Sequence, residues 1–250
     1  MESIKVLDKA FAILELAVMC SPARITLGEF MGKCRLNKTT CARLIRSLVE
    51  KGYLEHCGAR GGYRAGIRAQ SLGNNMHYDP AFFAIAKPAC LYAATELQSS
   101  VMISTMLNGH RYILIHENRS SVDALDIRGI ALADLCNTAS GFVLLAHAAE
   151  AQVDAVIAYM GYPDSHKMVM EKCFPNIEFR DLLAKIKEDG HTSFVTPFWG
   201  VTAFPIFRNG KCFASIGSTL PACEATAEKQ DQAIKTLKFM QKSIMEKLER

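Results

Sequence analysis

The stretch from Leu36 to Leu54, LNKTTCARLIRSLVEKGYL, decides how the first part of the chain folds. Cys41, Leu44, Ile45 and Leu48 recur at i, i+3, i+4 and i+7, so one stripe of a helix is apolar and faces a core. Thr39, Arg43, Arg46 and Glu50 fall on the opposite stripe, and Lys38 and Thr40 lie near the start. Asn37 is placed as an N-cap and Gly52 as the residue that ends the helix. Cations gain from the C-terminal end of a helix dipole, so Lys38 and Arg43 near the N-terminus slightly oppose it. Two readings stand at this point: an ordinary amphipathic surface helix, or a helix that meets an anion outside the chain.

Working outward, ITLGEFMGKC (25–34) places Thr26 three residues before Glu29, the spacing of a capping box. Leu27, Phe30 and Met31 give that segment an apolar face, and RLN (35–37) is a short turn. Two short helices joined by three or four residues, the second one basic, form a helix-turn-helix. Downstream, GYLEHC and GGYRAG read as two short strands around the loop GARG, 58–61, which carries Arg60, with Arg64 just beyond. That hairpin is a wing. On this reading Thr39, Thr40, Arg43 and Arg46 approach a DNA major groove, and Lys38, Arg60 and Arg64 neutralise phosphates.

Charge supports the same division. Residues 1–70 hold 12 Lys and Arg against 6 Asp and Glu, while residues 71–250 hold 17 against 19. A basic first quarter and a mildly acidic remainder imply one end that meets a polyanion. Half of the 250 residues are hydrophobic, enough for two compact domains. No run of roughly 18 apolar residues occurs, so no membrane span is expected. The start, MESIKVLDKAFAILELAVMC, has acids at Glu2, Asp8 and Glu15 and periodic apolar residues, which makes it a helix and not a signal peptide. The nine cysteines are odd in number and lack any Cys-x-x-Cys, so they read as small buried residues in a reducing cytoplasm.

The first helix has two apolar stripes: Ile4, Leu7, Phe11, Leu14 and Val18, and then Val6, Ala10, Ile13 and Ala17. Either both are buried within one domain, or one packs on a partner subunit.

Together, SIKVLDKAFAILELA, ITLGEFMGKCRLNKTTCARLIRSLVEKGYLE and GGYRAG resemble the DNA-binding half of IclR-family bacterial transcriptional regulators. Asn37 stands where that family commonly has proline, and Ala65 where it commonly has leucine. LCNTASGFVLLAH (135–147) is similar to the family's small-residue turn opening a helix, and GVTAFPIFRNGKCFASIGSTLP (200–221) to its final hairpin. The resemblance implies a cytoplasmic homodimer or dimer of dimers. It would bind a double-stranded, inverted-repeat operator, control a catabolic operon and need no cofactor or metal.

Beyond residue 66, RAQSLGNNMHYD reads as a polar link, and a helix follows from Pro80 with Pro88 kinking or interrupting it. Asn108-Gly109 and Asn209-Gly210 are strong hairpin signals. Helices are expected at about 139–159, 178–189 and 222–248. The fold class is therefore α+β. A winged helix-turn-helix domain occupies 1–66, a link 67–80, and an α+β domain with an antiparallel sheet 81–250. The resemblance makes this last domain GAF-like and effector-binding.

The small residues opening the helix at Ala139 leave backbone N–H groups free, which reads either as an anion cradle or as plain N-capping by Asn137 or Thr138. The resemblance favours a pocket that includes Ala139, Ser140, Phe194, Val201, Gly217 and Thr219. Phe194, Val201 and Gly217 stand where relatives often place an acid, a cysteine or a serine, and the loop between Phe194 and Ala203 looks shortened. FVTPFWG adds Phe198 and Trp199, either as pocket walls or as core. Such a pocket suits an organic acid with an aromatic or aliphatic body. Catalysis has little support. Cys136, Ser140 and His147 are near one another in sequence, but no G-x-S-x-G or H-E-x-x-H is present, and His147 reads as a helix-surface residue. The alternative from another class is a cytoplasmic enzyme acting on a small acid through its C-terminal domain.

Overall fold

A computed structural model describes residues 4–58, 61–73, 79–120, 132–162 and 164–249. They form two compact units, one up to residue 73 and one from residue 79 onward.

In the first unit, α1 (Lys5–Met19), α2 (Leu27–Lys33) and α3 (Lys38–Glu50) precede a hairpin of β1 (Leu54–His56) and β2 (Tyr63–Ala65). The capping box is present: Thr26 Oγ1 accepts from Glu29 N at 3.3 Å, and Glu29 Oε2 accepts from Thr26 N at 2.8 Å. The bond from Thr26 N, and then one from Thr26 Oγ1 at 2.8 Å, hold the Glu29 carboxyl below its usual range. Asn37 Oδ1 accepts from Thr40 N at 2.9 Å, and Gly52 follows α3 at φ +75°. The core joins Ile13 and Ala17 of α1 to Phe30, Cys41, Ile45 and Leu54. Of the two stripes on α1, the one ending in Ile13 and Ala17 is buried at that end. The other leaves Leu7 and Phe11 50% and 57% exposed. Gly62 lets the hairpin reach Ile25, since a Cβ there would lie 2.6 Å from the Ile25 carbonyl oxygen.

The segment expected as a polar link begins as a helix, α4 (Ile67–Gly73). Its start is tied to the first unit, with Arg68 N donating to Gly52 O at 3.2 Å and the Arg68 guanidinium 5.0 Å over the Tyr53 ring.

The second unit is a three-layer arrangement. Five antiparallel strands lie in the order β4-β3-β7-β6-β5: β3 (Ser100–Leu107), β4 (His110–Asn118), β5 (Thr192–Val195), β6 (Trp199–Arg208) and β7 (Lys211–Pro221). Both Asn-Gly turns have two successive positive φ angles, at Asn108 and Gly109 and at Asn209 and Gly210, as two-residue hairpins require. One sheet face packs against α5 (Pro80–Leu97) and α10 (Ala227–Leu248) through residues such as Phe82, Ile103, Ile216 and Leu237. The other is covered by α6 (Ala139–Ala146), α7 (Glu150–Met160), α8 (Asp164–Cys173) and α9 (Phe179–Asp189).

Three expectations need correction. Pro88 does not interrupt α5; Phe82, Ala86, Cys90 and Ala93 on its buried side hold one helix through the missing bond. The helix expected at 139–159 is two, because Ala149 adopts an extended conformation and Gln152 Oε1 accepts from its N–H at 3.2 Å. The helix expected from 222 begins as a 3-10 turn, Ala222–Glu224, and α10 starts after the Thr226 cap.

Three of the nine cysteines, Cys41, Cys90 and Cys136, are buried; Cys223 is exposed and the rest are half-buried. Burial pushes the Cys90 and Cys212 thiols up to about 12 and that of Cys136 to about 11, which leaves them as unreactive thiols. No helix among the described residues is long and apolar enough to cross a membrane.

Candidate functional sites: a basic helix face and a cavity at a helix start

On α3 the apolar stripe turns inward, and Lys38, Thr39, Arg43, Arg46 and Glu50 are exposed; Thr40 is half-buried beside its cap. Lys38, Arg43 and Arg46 have no side-chain partner among the described residues, and no acid lies in the first turn of α3. Arg64 differs. It faces Glu55 across the β1–β2 pair, with Nε to Oε2 and Nη2 to Oε1 both at 3.0 Å. The pair is exposed, so water screens it and a phosphate can compete for the guanidinium. Arg60 lies outside the described residues.

The second site lies where α6 meets the sheet. Phe194 on β5, Val201 on β6 and Thr219 on β7 are successive partners in one row across three strands. Two residues along β7, Gly217 pairs with Ala203 and Met102 on the same face. A Cβ on Gly217 would lie 2.8 Å from Ser140 Oγ, so this glycine lets the start of α6 approach the sheet. Thr138 caps α6, its Oγ1 accepting from Gly141 N at 3.1 Å. Helix geometry leaves the first N–H groups, those of Ala139 and Ser140, without an intrahelical acceptor.

These elements enclose a cavity of about 250 Å³. Ala139 and Ser140 line it at the helix start, Phe194, Trp199 and Val201 form apolar wall, and Gly217 and Thr219 lie on the β7 side. All seven pocket residues expected from the sequence are thus brought together. Phe198 is not; it is 64% exposed in the turn between β5 and β6. That turn is tight, Thr196 Oγ1 accepting from Trp199 N at 2.9 Å, and it holds the tryptophan at the cavity. Behind the wall, Phe142 of α6 stacks on Phe194 with centroids 5.8 Å apart.

Sequence reasoning missed the most polar part of the lining. Arg111 and Asp134 line the cavity and form a two-bond ion pair, at 2.8 Å and 2.5 Å. A β-bulge hides Arg111 in the sequence. Met102 pairs with His116, and Met106 with Arg111, so four steps on β3 match five on β4. The extra residue reverses which side chains of β4 face α6 and turns Arg111 inward. Only the position of Arg111 two residues after Asn108-Gly109 was visible, and there it looks like a solvated hairpin end.

The other candidates at this end of the domain are structural. Cys136 is buried, and its carbonyl accepts from His166 Nδ1, whose ring stacks on Tyr162. His147 is not on a helix surface; it ends α6 half-buried against Phe207, and its Nε2 has no partner among the described residues. Burial, and then Lys187, depress its pKa. A larger cleft of about 500 Å³, between α9, β5 and α10, is lined by none of the residues singled out in the sequence.

The chain thus joins a winged helix-turn-helix unit to a three-layer α+β unit with a cavity at a helix start. More particularly, the fold is that of IclR-family transcriptional regulators. An IclR homolog complexed with 4-hydroxybenzoate from Microbacterium hydrocarbonoxydans is similar at a TM-score of 0.72 and 18% identity, covering 98% of this chain and 99% of that one. An IclR family transcriptional regulator from Brucella abortus matches at 0.79 and 18% identity, over 98% and 93% of the two chains. The Thermotoga maritima IclR matches at 0.64 and 21% identity, over 99% and 100%. No protein-family model matches the chain, and no curated protein matches it.

Proposed function

We propose that the protein is a cytoplasmic transcriptional regulator, and not an enzyme, that binds duplex DNA through residues 1–66. Residues 81–250 form its GAF-like effector domain and 67–80 the connection. Lys38, Thr39, Thr40, Arg43 and Arg46 face the operator, and Arg60 and Arg64 reach phosphates from the wing. The observation that carries this reading is the exposed face of α3, where Lys38, Arg43 and Arg46 have no side-chain partner among the described residues and no acid lies in the first turn. An external polyanion supplies the missing partner.

The exposed stripe of α1, centred on Leu7 and Phe11, supports a homodimer that can pair into a tetramer, and hence an inverted-repeat operator. The effector is a small organic acid with an aromatic or aliphatic body. A cavity of about 250 Å³ lies just below the ~300 Å³ lower end of common ligand sites, so it suits a single ring or short chain. The 4-hydroxybenzoate in the Microbacterium homolog belongs to that class. Control of a catabolic operon by such an acid follows from this reading.

Sequencing the DNA fragments enriched by the protein tests it directly. The expected outcome is a two-fold symmetric motif whose recovery falls steeply with salt. Absence of any enriched motif, together with turnover of a small acid, would instead establish the enzymatic reading. Sedimentation of Phe11→Glu should give monomers, because a charge buried in the subunit contact has no partner; a wild-type monomer at micromolar concentration removes the dimer.

A further inference from the structure

The cavity beside α6 holds a buried cation. The Arg111 side chain is 6% exposed and that of its partner Asp134 is 24% exposed. A guanidinium has five N–H donors. Nε donates to Asp134 Oδ1 at 2.8 Å and Nη2 to Oδ2 at 2.5 Å. Nη1 donates to Ser104 Oγ at 2.9 Å and meets Met102 Sδ at 3.4 Å. One Nη2 donor is left without an acceptor among the described residues, and one Nη1 donor has only a thioether, a weak acceptor.

The two members of the pair are held differently. Arg111 is fixed inside the sheet by its strand and by Ser104. Asp134 follows a short segment joined to β4 by one bridge, in which Arg111 N donates to Leu132 O at 2.9 Å and Leu132 N to Arg111 O at 2.8 Å. The carboxylate is also the more exposed of the two. A buried arginine needs an anion, but any carboxylate of the same fork geometry satisfies it.

We propose that Arg111 selects an anionic head group for this pocket, and that Asp134 is a built-in occupant which a ligand carboxylate displaces. The proposal rests on the reading of the cavity as an effector site. Displacement swaps one carboxylate for another on the same donors, so the buried cation is never left bare, while Asp134 moves toward water. The exchange also touches α6. The Asp134 carbonyl accepts from Thr138 Oγ1 at 2.9 Å, and that same oxygen caps Gly141 N. A neutral ligand of the same shape cannot take Arg111 from Asp134, because it would strand the cation's charge.

Benzoate and benzamide share ring and size and differ in charge. Both are titrated by calorimetry and by Trp199 emission into the full-length wild type, Asp134→Asn, Arg111→Gln and the double variant. Wild type should bind benzoate about tenfold or more tighter than benzamide, the scale of a hydrogen-bonded charge. Asp134→Asn removes the competitor and should tighten benzoate by about tenfold, with benzamide changing by less than about threefold. Arg111→Gln should abolish the preference for benzoate. If that variant does not fold with Asp134 left unpaired, the double variant, which removes both charges, reads the same ratio. Unchanged benzoate affinity in Asp134→Asn overturns the displacement. Equal binding of the two probes by wild type overturns anion selection and leaves the effector pocket standing. No binding of either probe to wild type removes the pocket reading and this proposal with it.

Discussion

The outward face of α3 and the cavity at the start of α6 both gather polar groups, yet they treat charge in opposite ways. On α3, Lys38, Arg43 and Arg46 stand in water without partners among the described residues. In the cavity, Arg111 is buried and takes Asp134, Ser104 and Met102 as partners. The reason is dielectric. Water stabilises an exposed cation well enough to leave it free for an external polyanion, at a range set by salt. A buried cation costs several kcal/mol unless it is paired, so the fold itself supplies an anion, and on the displacement proposal recognition becomes exchange. On the proposed function, one face attracts from a distance and the other discriminates on contact.

The largest expected effect separates the two regions by packing. Phe142 is fully buried among Phe179, Phe174 and Phe194, so Phe142→Ala should destabilise the second unit by ~3–5 kcal/mol. Urea unfolding followed through Trp199, the chain's one tryptophan, reports that unit. A loss below ~1 kcal/mol would mean that the cavity wall is loosely packed and the contrast overstated.

Arg43→Ala should leave stability within ~0.5 kcal/mol, because the side chain touches nothing that holds the fold. At a specific operator it should cost ~1–3 kcal/mol of binding and relax base preference, seen in titrations against matched and mismatched sites. Intact affinity and intact preference would show that α3 is not the reading helix.

Asn37→Ala removes the cap on Thr40 N and should cost the first unit ~1 kcal/mol, measured by amide exchange of the first turn of α3. Equal protection in both proteins would locate the stability of that turn elsewhere.

The smallest effect belongs to Arg64. Its exposed pair with Glu55 contributes at most ~1 kcal/mol to the fold. Arg64→Ala should weaken DNA binding evenly across sequences and lower the salt slope by about 1. A sequence-selective loss would move the wing from phosphate to base contact.

The sequence alone was enough where the interaction is local. The N-cap at Asn37, the Thr26–Glu29 box, the glycine ending α3 and both Asn-Gly hairpins each depend on residues within a few positions of one another, and all stand in the structure. The apolar periodicity of Leu36–Leu54 likewise set which face of α3 is outward, because helical geometry alone relates those side chains. Resemblance named six of the seven pocket residues and the aromatic run FVTPFWG added Trp199, but periodicity could not have grouped them, since Ala139 and Thr219 meet only after the sheet closes. The tertiary structure alone decided the rest. Buried packing carried α5 through Pro88, an extended Ala149 split the helix after α6, and docking against Gly52 and Tyr53 accompanies a helix at the start of the expected link. Arg111 is the clearest case. Strand alternation places it by counting from its neighbours, and one bulge between Ile103 and Ser104 reverses the count. Its partner, Asp134, is 23 positions away, and a charge pair at that separation leaves no pattern in the chain until the fold brings the two side chains into contact.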